Sequence, residues 1–365
     1  MIMSVNVYSD TLSEAFSHTT ADGNIRLGYQ SHEAQGETKD ELATGVKLHV
    51  ETGTFYGFQV GTTLFSSYGN GEEGFEGVPF FDENNKDYAI IGEAYLKGTF
   101  SNTTFIWGRQ SFDTPFADSD DIGMVPNTFE AFTLINKDLK DTTIFISYIQ
   151  KMSGIDSEAP SKFTSVNGSD GVQVLGVTYE GIEHTALTGW FYNISGEGSI
   201  TYLEATYENE TDEYTYGAVA QYILQDYDVG ENSTIYGLAA SFGMKNIGLT
   251  TTFSYNKTEG RAAENFFGGG PFVTNAEHNT LKEARQDGNI ILYTLEWDVS
   301  VVGAEGLTLR ANIDAHHGDQ YRAREYDIGM EYAYSDSVNV LAIYSDIDDR
   351  DESFKNLRIF ANYSF

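Results

Sequence analysis

The sequence predicts an all-β fold, a transmembrane antiparallel β-barrel of eighteen strands. Three observations carry this expectation. Apolar and polar residues alternate with period two from Ile25 to Phe365, with almost no helical periodicity. The connections alternate between short and long, as they do at the two ends of a membrane barrel. The last strand is aromatic and ends on Tyr363 and Phe365.

Composition and charge narrow the alternatives. The 365 residues include 37 Gly, 24 Tyr and 24 Phe but only 5 Pro, which suits many strands joined by glycine turns. There is no cysteine, so disulfides and thiolate chemistry are excluded. Lys and Arg number 21 against 55 Asp and Glu, and the resulting net charge of −34 repels nucleic acid. No stretch approaches the roughly 18 apolar residues of a spanning helix, but a closed barrel crosses a bilayer without one.

Residues 1–20 are expected to form the N-terminal segment of a mature chain, with a helical pattern near Leu12 and Phe16. They lack a basic start and an apolar run of about 7 to 15 residues, so an export signal is expected to be absent from this chain. Residues 21–365 are expected to form the barrel.

The strands then follow in order. The first sets Ile25, Leu27 and Tyr29 against Asn24, Arg26 and Gln30; the second sets Val46, Leu48 and Val50 against Lys47, His49 and Glu51. The third opposes Phe58, Val60 and Leu64 to Gln59 and Thr63. In the fourth, Tyr88, Ile90, Ala94 and Leu96 share the apolar face, opposite Glu93 and Lys97. Strands five and six, near 103–109 and 128–135, divide less cleanly. The tenth places Leu203 and Tyr207 against Glu204; the last five are the clearest, with Leu309 and Ile313 against Arg310, and Ile328 and Tyr332 against Asp327 and Glu331. Connections after even strands are short. Those after odd strands are expected to be long at 31–41, 67–87, 110–127, 151–170 and 257–288. A soluble sandwich explains the alternation but not this asymmetry, so the apolar faces are expected to meet lipid and the charged faces water.

The connection at 110–127 is the third on the long-loop side. It combines Pro115 and Pro126 with Asp118, Ser119, Asp120 and Asp121, a mixture that no strand interior accommodates. It is expected to fold inward and narrow the channel. Inward parity puts Arg26, Lys47, Arg310 and Arg358 on a basic pore wall, to which Arg109 is added at the head of the loop. Glu93, Glu204, Asp327 and Glu331 form the acidic wall. Charges around a narrow aqueous path select ions by sign.

Asp118, Asp120 and Asp121 are spaced as oxygen ligands of calcium would be, though without the order of an EF-hand loop, and a solvated acidic loop is the competing reading. No cofactor is expected. Adjacent His316 and His317 point to opposite faces of a strand, and none of the 7 His forms a constellation with Ser, so an enzyme is not expected. Acids of the outer loops, Glu72, Glu73, Glu76, Asp348, Asp349, Asp351 and Glu352, are candidates to hold divalent ions that bridge lipopolysaccharide.

The blocks GRQ at 108–110, TP at 114–115, SDD at 119–121 and MVPNTFEA at 124–131 resemble the OprD-type outer-membrane porins, above all their epsilonproteobacterial branch. SDTLSEAF at 9–16 and FFGGGPFVTNAEHNTL at 266–281 add to the likeness. The resemblance implies a bacterial outer-membrane channel, usually a homotrimer, that passes small solutes and ions by diffusion. Gly123 stands where pseudomonad members tend to carry arginine, and this acidic chain is more similar to the cation-preferring members. The expected function is therefore a cation-preferring porin. A porin selective for carboxylates or amino acids, or a structural or adhesive barrel, are the alternatives.

Overall fold

The computed structural model describes residues 8–9, 11–69, 80–318, 321–349 and 353–365. Among them, eighteen strands form one closed antiparallel sheet. They are β1 (Thr20–Ala34), β2 (Glu37–Glu51), β3 (Phe58–Gly69), β4 (Tyr88–Phe100), β5 (Thr103–Gln110), β6 (Thr128–Asn136), β7 (Thr142–Ser153), β8 (Val172–Ile182) and β9 (Thr185–Ile194). The second half comprises β10 (Gly198–Glu210), β11 (Tyr214–Tyr227), β12 (Ser233–Met244), β13 (Leu249–Gly260), β14 (Asn289–Asp298), β15 (Leu307–Gly318), β16 (Tyr321–Ser335), β17 (Val338–Asp349) and β18 (Phe354–Ser364). Each pairs with the next. Closure comes from β1 against β18, in register from Asn24 with Ser364 to Ala34 with Phe354.

The expected sidedness holds along most strands. Ile25, Leu27, Leu238, Phe253, Ile313 and Ile328 are exposed on the outside, while Gln30, Thr63, Gln221, Asp314 and Asp327 are buried on the inside. Arg310 lies between outward Leu309 and Ala311 and pairs in register with Glu296 and Gly329; Glu331 lies opposite Thr308 and Leu341. Both therefore face inward. This inside-out distribution suits a hydrocarbon surround, where polar side chains are sheltered in the lumen.

One face assignment is overturned. Between β3 and β4, Thr63 pairs with Glu93 while Leu64 pairs with Ile91, so Gly92 is an extra residue, a bulge. Below the bulge the parity reverses. Ile90, expected to face outward, is 8% exposed, and Ile91 takes the outer position at 49%.

The connections also differ from expectation. Those after even strands are all short, and the longest, 299–306, contains a single 3-10 turn, Val299–Val302. Of those after odd strands, 70–87, 111–127, 154–171 and 261–288 are long. The stretch 31–41, expected as a loop, is instead two paired strand ends joined through Gln35 and Gly36 at φ 52° and 81°. Positive φ at both central residues is the tight hairpin turn that matches strand twist. The ribbon is polar on both faces here, so its sequence reads as loop although its hydrogen-bond ladder continues. The predicted helix is α1, Leu12–Ser17, capped by Thr11. It is tied to the short-turn end, where Gly53 N donates to Ala15 O at 3.0 Å and Tyr8 pairs with Thr54.

Ile328 lies mid-strand on the outer face. Ile328→Arg should destabilise the barrel by about 2–4 kcal/mol, the cost of a cationic side chain near the bilayer midplane, in urea unfolding from lipid vesicles. The lumenal Glu331→Gln should change stability by less than about 1 kcal/mol.

Candidate functional site

The long loops bond to side chains on the inside of the wall. In 111–127, Phe116 is fully buried. Its ring stands edge-on to Tyr192 of β9 at 5.6 Å and to Tyr202 of β10 at 6.3 Å, and its amide donates to the Tyr192 hydroxyl at 3.3 Å. At the far end of the loop, Met124 and Val125 join Ala43, Phe65, Phe80 and Phe360 in a second apolar cluster. Between these anchors Asp121 accepts two hydrogen bonds of 2.7 Å from Arg26 of β1, whose Nη1 also donates to Gly123 O at 2.6 Å. Arg26 Nε donates to Asn362 at 2.8 Å, and its guanidinium lies 4.6 Å over Phe360. Burying Phe116 is worth about 2–3 kcal/mol. Asp121 is 53% exposed, so its ion pair contributes about 1 kcal/mol or less. Apolar packing anchors the loop, and the ion pair sets its charge.

The loop 261–288 is held in the same way. Gln221 donates to Pro271 O at 2.9 Å and Gln225 to Glu264 O at 2.7 Å. Asn256 accepts from Thr274 N and Oγ1, and Glu325 accepts from the amides of His278 and Asn279 at 2.9 and 2.8 Å. Glu277 binds Arg358. The two loops also bond to each other, Phe267 N to Phe116 O at 3.1 Å and Asp118 N to Phe267 O at 3.3 Å. A Cβ on Gly269 would lie 2.3 Å from Pro115 O, so this close approach needs glycine. This glycine lies within the FFGGGPFVTNAEHNTL stretch at 266–281. Loop 154–171 joins through Asp156, which accepts from Asn127 Nδ2 at 2.7 Å and returns its own amide to Asn127 Oδ1 at 3.2 Å.

The residues singled out from sequence divide accordingly. Pro115 lies beside Phe116, and Ser119 donates to Asp113 at 2.6 Å. Asp118 accepts from Asp120 N at 3.1 Å, and Asp120 has φ 34°. Burial, then the Asp156 and Asp118 carboxylates, push the Asp120 carboxyl up to about 7; Asp118 is also raised, mainly by burial. Burial and Arg358 push His278 down to about 4. Arg358 is buried against Glu277 and Phe360. Arg310 pairs with Glu296 at 3.0 Å, and Lys47 forms no ion pair among the described residues. Glu51 instead pairs with Lys97 at 2.7 Å. Glu93 accepts from Thr63 and from Ser111 N. Glu204 accepts from Tyr202 at 2.6 Å and Gln221 at 2.7 Å, and Asp327 from Asn312 at 3.3 Å. His316 is buried against Asp314, while His317 turns outward.

One expectation is corrected. Arg109 does not belong to the inner wall. It pairs in register with Ala94 and Glu130 and shares its face with outward Trp107, because inward parity on β5 falls on Gln110 and Gly108. The three loop acids have separate partners. Asp121 is taken by Arg26 and Asp118 by its neighbouring amide, and among the described residues no three His, Asp or Glu groups are arranged to hold a metal. Of the outer acids proposed as ion bridges, Glu72, Glu73, Glu76, Asp351 and Glu352 lie outside the described residues.

Known proteins of the same architecture fit this geometry. Pseudomonas aeruginosa OpdK, solved with vanillate, superposes with a TM-score of 0.84 at 17% identity, covering 96% of this chain and 99% of that one. P. aeruginosa OccK8 (OprE) gives 0.81 at 16%, covering 96% and 98%. Acinetobacter baumannii OccAB1 gives 0.82 at 14%, covering 98% and 99%. At such identities these show the fold alone. No curated protein matches the chain. The family model for outer membrane porins of the OprD family matches residues 13–340. With nearly the whole barrel inside that match, the chain belongs to the OprD family of outer-membrane porins, which are channels and not enzymes.

Proposed function

We propose that this porin is a passive channel that prefers cations, with 111–127 folded into the barrel as its narrowest part and 261–288 bounding the same opening. The observation that carries this reading is the state of the inward arginines. Arg26 is held bidentately by Asp121, and Arg358 is paired with Glu277. A solute carboxylate would have to displace a loop carboxylate already in place. Asp118, Asp120, Asp156 and Glu331 meanwhile lack a cationic partner among the described salt bridges, and acids around a narrow path concentrate cations and repel anions.

Vanillate, found with OpdK, is a carboxylate. Exposed Lys47 is the group here that favours such a substrate, and it supports the second reading, a carboxylate-selective porin. Assembly as a homotrimer in contact with lipopolysaccharide belongs to the same proposal, as the resemblance implies.

In planar bilayers under a salt gradient the reversal potential should have the cation-selective sign. An anion-selective sign with saturation by vanillate would establish the second reading, and absence of conductance would remove both. Asp121→Asn releases Arg26 and should lower the cation-to-anion permeability ratio about sixfold, since one unit charge roughly 8 Å away in water shifts cation and anion by about 0.5 kcal/mol in opposite directions.

Selectivity should also depend on pH. Asp120 is neutral below about 7 and ionised above it. Raising the pH from about 5.5 to about 8.5 therefore adds one negative charge and should strengthen cation preference. Asp120→Asn should flatten that rise, and an unchanged profile in this variant would remove Asp120 from the path.

A further inference from the structure

On the outside of the barrel, β5, β6 and β7 carry an ionic ladder that takes no part in the channel. Arg109, Glu130 and Lys151 stand opposite one another in register. Glu130 lies 3.6 Å from Arg109 Nε and 3.1 Å from Lys151 Nζ. Charged side chains at lipid-facing positions are costly in hydrocarbon, and the cost falls near zero only at the interface. All three stand close to the long-loop ends of their strands, since β5 ends at Gln110, β6 begins at Thr128 and β7 ends at Ser153. In an outer-membrane barrel that end faces the cell exterior. The ladder therefore lies level with the headgroups of the outer leaflet.

Its surroundings are shaped for a ligand with an apolar and an anionic part. A groove of roughly 420 Å³ runs beside it, lined by Trp107 and Phe132 as well as Arg109, Glu130 and Tyr148. Arg109 is fixed in place, stacked 4.4 Å over Phe163 and donating to Ile91 O at 3.2 Å. One carboxylate between two cations leaves one positive charge uncompensated in a chain of net charge −34. Arg109 and Lys151 are 38% and 42% exposed, open enough to receive a partner.

We infer that this groove binds the phosphorylated headgroup of an outer-leaflet glycolipid. The phosphate is received by Arg109 and Lys151, and an acyl chain lies along Trp107 and Phe132. Guanidinium is the weakly hydrated, forked donor that suits phosphate, and charge-assisted bonds of this kind are the strong ones. Glu130 positions the two cations. A second copy of this chain on the same face would bury all three charges away from water, a desolvation cost that a headgroup in contact with solvent avoids.

The test is the amount of lipopolysaccharide, measured by mass spectrometry, that stays with the protein extracted from outer membranes in mild detergent. Arg109→Gln with Lys151→Gln should reduce it about tenfold, equivalent to about 1.4 kcal/mol. Ion selectivity should not change, because neither residue lines the channel. Glu130→Gln should keep the lipid. Equal retention by the double variant and the native protein overturns the proposal. So does loss of oligomers with lipid unchanged, which would assign the face to a second copy, or equal competition by phosphatidylglycerol vesicles. If the double variant does not insert, Lys151→Gln alone should still lower retention about threefold, and no change there also overturns it.

Discussion

The structure depends on the requirement that no backbone N–H or C=O be left unpaired in hydrocarbon. An open sheet has two edges that break this rule. Pairing β1 with β18 removes both, so the first and last strands matter out of proportion to their length. Closure then dictates the rest. A wall one strand thick has an outer face touching lipid and an inner face touching water, and a period-two sequence supplies both.

A wall of this kind has an inner face, and the long loops bury apolar surface against its side chains. Phe116 among Tyr192, Tyr202, Phe266 and Phe272 makes an aromatic cluster that a small soluble domain would place at its centre. Polar side chains of the wall, Gln221, Gln225, Asn256 and Glu325, satisfy the backbone of the loop at 261–288. The inner face therefore has two uses, facing water and bonding to the long loops.

Much of this was legible in the sequence because strand sidedness is a local property. Ile25 and Arg26, or Leu309 and Arg310, declare their faces through their neighbours alone. What was not legible depends on the partner strand. Whether Ile90 or Ile91 meets lipid is decided by the bulge at Gly92, which exists only relative to Thr63 and Leu64. Arg109 was misplaced for a related reason, since β5 is short and its parity is set by pairing with Ala94 and Glu130. The polar hairpin ends at 31–41 looked like loop because nothing in a sequence distinguishes a solvated ribbon from a solvated coil. The acidic third loop stood out by composition, whereas its bond to Arg26 joins residues 95 positions apart. The loop at 261–288 offered only its glycines.

The backbone bonds between Phe116 and Phe267, with Gly269 pressed against Pro115, join two separate loops. Neither can swing aside alone, since lifting either tears the packing of both. The two loops are thus coupled across the chain: a change that unseats Phe116 also disturbs 261–288, through the bonds to Phe267.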